Sequence, residues 1–273
     1  MLMKITPYPL VNEEKKFLVF WTPRCGCTTI CHWFFRTIGR EDALMNTPPS
    51  DVGAKVHWYR DREFFHGRTV ISKVMFRYLY MLPRLRRLYK DPSYYKFTVI
   101  RNPYARIVSS YLGMASNTNP AAGLGIFARA GDKVSFLEFL HILEENRSIR
   151  MNPHFRPQTD NDCWQSGVHL DSVIKLEELS DGIADINSRF GLSVPIERLY
   201  TTKRGAPQVL ESNFSEMSYY ELASSCRAND GKIAYPGYEH FFTGATRELV
   251  SRIYARDIAE FDYRAPELRG EIP

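Results

Sequence analysis

Apolar runs long enough for a strand alternate along this chain with apolar residues spaced for a helix. Phe17 to Trp21 (FLVFW) reads as a buried strand, and a helix opens at Thr28 and Thr29 after Pro23 and Gly26. The pattern recurs at Phe97 to Ile100, which Asn102 ends and which is followed by a helix led by Pro103, a residue suited to a first helical turn. It recurs again at Ser172 to Leu176, followed by a helix from Leu179 to Phe190 that closes near Gly191. Val134 to Leu143 has helical spacing, with Ser135 and Glu138 placed for a capping box. Gly244 to Tyr263 reads as a final amphipathic helix expected to pack on the sheet. Repeated strand, loop and helix predict an α/β fold, with a central parallel sheet and helices on both faces. Ile38 to Val56 reads as a surface connector, Val70 to Tyr89 as two helical pieces with a basic face, and Gly113 to Asp132 as a long loop. No repeat or linker divides the chain, so residues 1–273 read as one domain in which 114–132 and 200–240 are loop or flap elaborations.

Composition narrows the classes. The 273 residues, 44% of them hydrophobic, suffice for one large core. A balance of 36 basic and 31 acidic residues leaves a formal charge of +5, too mild to demand nucleic acid but compatible with a local pocket for a small polyanion. The first residues hold no apolar core of signal-peptide length, and no later run approaches the roughly 20 apolar residues that cross a bilayer. The expectation is a cytoplasmic protein without stable membrane insertion. Cys25 and Cys27 sit closer than a zinc-binding Cys-x-x-Cys, and no second ligand pair follows, so no metal is expected.

Candidate chemistry begins in the turn from Thr22 to Thr29 (TPRCGCTT). A helix start is an anion site; Arg24 adds a full charge, Thr28 and Thr29 add hydroxyls, and small Cys25, Gly26 and Cys27 let the backbone approach a phosphate or sulfate. An ordinary capped helix would read similarly. The spacing is shorter than Gly-x-x-x-x-Gly-Lys-Ser/Thr and lacks the lysine, which argues against an ATPase. The second stretch is Lys96 to Tyr111 (KFTVIRNPYARIVSSY), where Arg101 at the strand end and Ser109 on the helix can converge on one phosphate. Arg106 either joins them or pairs with an acid. His57 and His66 lie among aromatics and cations in KVHWYRDREFFHGR. A polar loop from Asn152 to Trp164 presents His154, Arg156 and Gln158, a mixture suited to hydroxyl-bearing ligands although a structural turn reads much the same, and Lys203 with Arg204 makes a further basic turn.

Together, Thr22 to Thr29 and Val99 to Ser109 resemble the sulfotransferases that use 3′-phosphoadenosine 5′-phosphosulfate (PAPS), closest to the carbohydrate branch of chondroitin 4-O- and heparan 2-O-sulfotransferases. Phe65-His66-Gly67, Val173 to Leu179 and Ile253 to Tyr263 follow that family's order. The resemblance implies a P-loop-like three-layer sandwich in which Arg24, Cys25, Gly26, Cys27, Thr28 and Thr29 hold the 5′-phosphosulfate. It implies that Arg101 and Ser109 hold the 3′-phosphate, with PAPS as co-substrate and no metal. His66 is the implied base, ahead of His57 and His154, and the acceptor is a hydroxyl on a carbohydrate or glycosylated small molecule. The family usually has lysine where Arg24 stands; arginine keeps the charge but donates a proton poorly, so its implied role is electrostatic. A nucleotide kinase or NTPase, or a non-catalytic nucleotide-binding module, remains the alternative.

Overall fold

Three strands run parallel, each one a segment that the apolar pattern singles out. The computed structural model describes residues 9–46, 82–115, 134–196, 214–226 and 235–267. Its strands are β1 (Leu10–Asn12), β2 (Phe17–Phe20), β3 (Tyr95–Ile100) and β4 (Ser172–Lys175). Its longer helices are α1 (Cys27–Thr37), α2 (Leu82–Lys90), α3 (Pro103–Ala115), α4 (Phe136–Glu145), α5 (Leu179–Phe190), α6 (Tyr219–Ser225), α7 (Gly244–Ile253) and α8 (Ala255–Phe261). The chain forms two compact units, one from residues 1–100 and 161–200, the other from 101–160 and 201–273.

The first unit carries the sheet, in the order β1-β2-β3-β4. β1 and β2 form an antiparallel hairpin, whereas β2, β3 and β4 are parallel, with Phe17 opposite Tyr95 and Phe20 opposite Thr98. Alternate side chains leave a strand on opposite faces, and here both faces are covered. Phe17, Val19, Phe97, Val99 and Ile174 join Ile30, Trp33 and Phe34 of α1 and Leu179, Ile183 and Ile186 of α5. Leu18 and Phe20 turn the other way, toward Leu88 and Tyr89 of α2 and toward Cys163 and Trp164. That arrangement is the expected α/β sandwich, and it explains why the strands read as continuous apolar runs. Trp33, 1% exposed, packs against Phe17 and Phe97 with ring centroids at 6.0 and 6.2 Å. Its indole N–H donates to Asn187 Oδ1 at 3.2 Å, which satisfies the one polar atom that this side chain buries. Part of the expected connector is helical: Glu41–Met45 forms a short turn of helix with Leu44 buried.

The second unit is helical among the described residues. α3, α4 and α7 enclose a core of Tyr104, Ile107, Tyr111, Phe136, Phe139, Phe241, Leu249, Val250 and Ile253. The capping box at Ser135 and Glu138 forms as expected, and a second at Ser218 and Glu221 opens α6. α3 runs on to Ala115, past the expected loop start at Gly113, and residues 116–133 lie outside the described ones. The C-terminal segment departs from expectation in two ways. It breaks at Tyr254 into α7 and α8, and its apolar face joins a core of helices that includes no strand residue among the described ones. An amphipathic stripe requires an apolar partner; it does not specify a sheet.

Gly182 lies inside α5, where alanine would ordinarily stabilise by about 1 kcal/mol. A Cβ there would come within 2.5 Å of Ile174 Cγ2 on β4. Gly182→Ala is therefore expected to lower stability by about 1–3 kcal/mol through overpacking, measured as a lower urea midpoint; a raised midpoint would contradict this helix–sheet contact.

Candidate functional site

Within the first unit, the turn between β2 and α1 is built by side chains that take over where the ladder stops. Thr98 Oγ1 donates to the carbonyl of Phe20 at 3.0 Å, and Asn161 Nδ2 donates to Thr22 Oγ1 at 2.7 Å. The N–H of Cys25 returns to the carbonyl of Thr22 at 3.1 Å, closing a tight turn. Arg24 and Gly26 are both left-handed, each with φ 69°. For Arg24 that conformation costs roughly 1–2 kcal/mol, and strain of this kind gathers at ligand clamps. Gly26 has a second reason to be glycine, because a Cβ would meet Leu176 Cδ1 at 2.6 Å.

α1 opens on Gly26 with no side-chain cap and no acidic residue in its first turn; its first helical bond runs from Ile30 N–H to the Gly26 carbonyl at 2.9 Å. The dipole's positive end is thus met by no carboxylate of its own helix, and left-handed residues beside it orient backbone N–H groups as a concavity for anions. Cys25 is 1% exposed and Thr29 9%, so these side chains face the interior. Arg24, Gly26, Cys27 and Thr28 are half-buried. The donor chemistry present is that of an anion cradle: main-chain N–H, one guanidinium and one accessible hydroxyl.

Of the second stretch, Arg101 to Tyr111 belongs to the second unit. Arg101 follows β3 directly, and Asn102 caps α3 by accepting the Tyr104 N–H at 2.9 Å. Arg101 and Ser109 are both half-buried. Gln158 spans the main chain of Arg101: its Oε1 accepts the Arg101 N–H at 2.9 Å and its Nε2 donates to the Arg101 carbonyl at 2.8 Å. Asp257 of α8 holds Gln158 in turn. Its carboxylate accepts from Gln158 N–H at 2.7 Å, Thr159 N–H at 2.9 Å, Thr159 Oγ1 at 2.8 Å and Gln158 Nε2 at 3.3 Å. Both Gln158 and Asp257 are 0% exposed.

Arg106 turns to main-chain carbonyls. It is buried, and its guanidinium donates to the carbonyls of Arg156 at 2.8 Å and Pro153 at 3.0 Å. Ser110 Oγ donates to the carbonyl of His154 at 2.8 Å, and the Tyr254 hydroxyl donates to that of Phe155. Burial pushes the pKa of the Tyr254 hydroxyl well above the ordinary phenol range, so it remains a donor. Four consecutive carbonyls are thereby clamped, which favours the structural-turn reading for Arg156, 3% exposed, and Gln158, fully covered, while His154 is half-buried.

Of the three histidines read as candidate bases, His154 is described. Asn152 Oδ1 accepts its main-chain N–H and also lies 3.0 Å from its Nδ1. An oxygen already accepting the N–H can only accept from the ring as well, so the neutral imidazole carries its proton on Nδ1 and its lone pair on Nε2. His66 and His57, with Lys203 and Arg204, lie outside the described residues. Among the described residues no cluster of His, Cys, Asp or Glu could hold a metal, and no helix is long and apolar enough to cross a membrane. Asp257 escaped the sequence reading, and Gln158 was singled out there for hydroxyl-bearing ligands and not for this contact, although Asp257 left a signal. It shares a helical face with Tyr254 and Phe261, where an acid is out of place unless it is hydrogen-bonded.

A sequence profile of the sulfotransferase family matches residues 8–264. The chain belongs to the sulfotransferase family. Carbohydrate sulfotransferase 14 of Danio rerio is 26% identical over 196 residues, covering 67% of this chain and 48% of the relative. Carbohydrate sulfotransferase 14 of Homo sapiens is 33% identical over 111 residues, covering 36% of this chain and 28% of the relative. The Mus musculus protein of that name is 27% identical over 190 residues, covering 65% and 44%. The matched part of the chain thus spans about half or less of each relative's length. No solved structure matches it at a significant level. The kinase alternative gains nothing from these comparisons, whereas the resemblance to the carbohydrate branch agrees with them.

Because Arg106 serves two buried carbonyls, Arg106→Ala is expected to destabilise the protein by about 2–4 kcal/mol in urea unfolding. An unchanged midpoint would mean that the Pro153–Arg156 segment is held without it.

Proposed function

We propose that the protein transfers the sulfuryl group of PAPS to a hydroxyl of a carbohydrate or glycosylated small molecule. The observation that supports this reading most directly is the turn of left-handed Arg24 and Gly26 at the uncapped start of α1, in a chain of the sulfotransferase family. Its donors suit a phosphosulfate: main-chain N–H groups for the fixed oxygens and a guanidinium for the bridging oxygen on which charge develops. In this assignment Arg24, Cys25, Gly26, Cys27, Thr28 and Thr29 bind the 5′-phosphosulfate, Cys25 and Thr29 through their main chain because their side chains are turned inward. Arg101 and Ser109 bind the 3′-phosphate, which carries nearly two charges and rewards a bidentate arginine.

PAPS supplies an activated sulfuryl group, and adenosine 3′,5′-bisphosphate is what remains. The protein's part is to hold the nucleotide, to stabilise charge on the leaving oxygen through Arg24, and to remove the acceptor's proton. The acceptor oxygen forms a bond to sulfur as the bond from sulfur to the bridging oxygen breaks, and the hydroxyl proton passes to a base. We assign that base to His66 on its sequence context. His154, with its proton fixed on Nδ1 by Asn152, is the alternative whose ring is already oriented.

Three outcomes test this reading. Titration calorimetry should show adenosine 3′,5′-bisphosphate binding without magnesium, weakened about 10- to 100-fold in Arg101→Ala; binding of ATP with magnesium alone would sink the assignment. Arg24→Gly removes a strained side chain together with its charge, so its urea midpoint should hold or rise by up to about 1 kcal/mol while nucleotide affinity falls. His66→Ala should keep bisphosphate affinity and lower turnover of labelled PAPS about 10²- to 10⁴-fold. The same loss in His154→Ala, with His66→Ala active, would transfer the role.

A further inference from the structure

We propose that Gln158 and Asp257 are positioning residues for Arg101: Asp257 presets Gln158, and Gln158 presets the main chain that aims the arginine at a 3′-phosphate. This rests on the assignment of Arg101 made above. It adds two residues that the anion-binding chemistry alone would never select, since neither can touch solvent.

The geometry is specific. Arg101 stands where β3 has ended and α3 has not begun, so neither ladder nor helix satisfies its backbone. A primary amide meets both groups at once, with an acceptor for the N–H at 2.9 Å and a donor for the carbonyl at 2.8 Å. The side chain imitates a one-residue β-bridge, fixing the peptide planes on either side of the Arg101 Cα. Only one flip of the amide works, and Asp257 selects it: Oδ2, at 3.3 Å, accepts from Nε2 and would repel Oε1. Asp257 is itself immobilised by the main-chain N–H groups of Gln158 and Thr159 and by the Thr159 hydroxyl. The relay runs from a buried carboxylate through an amide to the backbone of a half-buried cation.

Its consequence is preorganisation. A guanidinium gripping a phosphate bidentately tolerates displacements of only about 0.5 Å. Fixing its backbone removes an ordering cost that would otherwise be met on binding. A nucleotide without the 3′-phosphate draws nothing from the relay. Discrimination between adenosine 3′,5′-bisphosphate and adenosine 5′-monophosphate is therefore the property that Gln158 and Asp257 set.

Calorimetry on the full chain reads this directly, using both nucleotides with wild type, Gln158→Met, Gln158→Glu, Arg101→Ala and the Gln158→Met/Arg101→Ala double variant. Urea midpoints confirm that each is folded. Gln158→Met keeps the length and loses the amide, and Gln158→Glu turns the donor toward the Arg101 carbonyl into an acceptor. The expected result is bisphosphate affinity lowered about tenfold by either Gln158 variant, monophosphate affinity within about twofold of wild type, and no further loss in the double variant. Asp257→Asn, where folded, should behave like the Gln158 variants. Equal loss for both nucleotides, no loss for either, or additive losses in the double variant would overturn the relay. If Arg101→Ala alone leaves the discrimination intact, the 3′-phosphate assignment falls and takes this inference with it, an outcome the single variant identifies without reference to Gln158.

Discussion

Parallel pairing of β2 with β3, in the register that sets Phe20 opposite Thr98, is the constraint from which the rest follows. Parallel strands end at one edge of a sheet, and at that edge each runs out of ladder partners while its chain must turn toward a helix. Backbone groups left there have to be satisfied by something other than the sheet. At the end of β2 Thr98 takes the Phe20 carbonyl, and Asn161 holds the Thr22 hydroxyl beside it. After β3 they are Gln158 and Asn102. Polar side chains that look unremarkable in the sequence therefore decide the shape of both turns, and each cation enters on a backbone already fixed.

Arg101 and Arg106 show how far apart two similar residues can be driven. They sit in one short stretch with the same nominal charge. Arg101 is half-buried at the start of α3, whereas Arg106, 1% exposed, spends its guanidinium on two main-chain carbonyls. A buried arginine that donates to main-chain carbonyls stiffens the segment it holds. Together with Ser110 and Tyr254 it turns the Pro153–Arg156 segment into a rigid wall for the second unit's core.

Local chemistry made much of this readable from the sequence. β2, β3 and β4 were legible because strands covered on both faces are apolar throughout, and α5 because Gly191, with φ 61°, ends it as a glycine should. The turn at Arg24 was legible from its small residues and its place between strand and helix. The relation of Gln158 to Arg101 and Asp257 was not, since partners 57 and 99 residues apart leave no local trace. The C-terminal helix was visible as amphipathic, but its partner was not, because Leu249 and Ile253 would suit a sheet as well as α4. At its break, the Tyr254 hydroxyl meets the Phe155 carbonyl, a partner 99 residues away that no window of sequence contains.

Gly26 and Arg24 adopt the same backbone angle in the same turn, yet they differ in what could replace them. Gly26 is confined twice, by its φ and by the Leu176 methyl 2.6 Å from where a Cβ would stand. Arg24 shares the φ without that Cβ conflict, a restriction that many side chains can bear at modest cost. Position 24 is therefore where this turn can take a different charge, reach and proton affinity while the backbone beneath it keeps its shape.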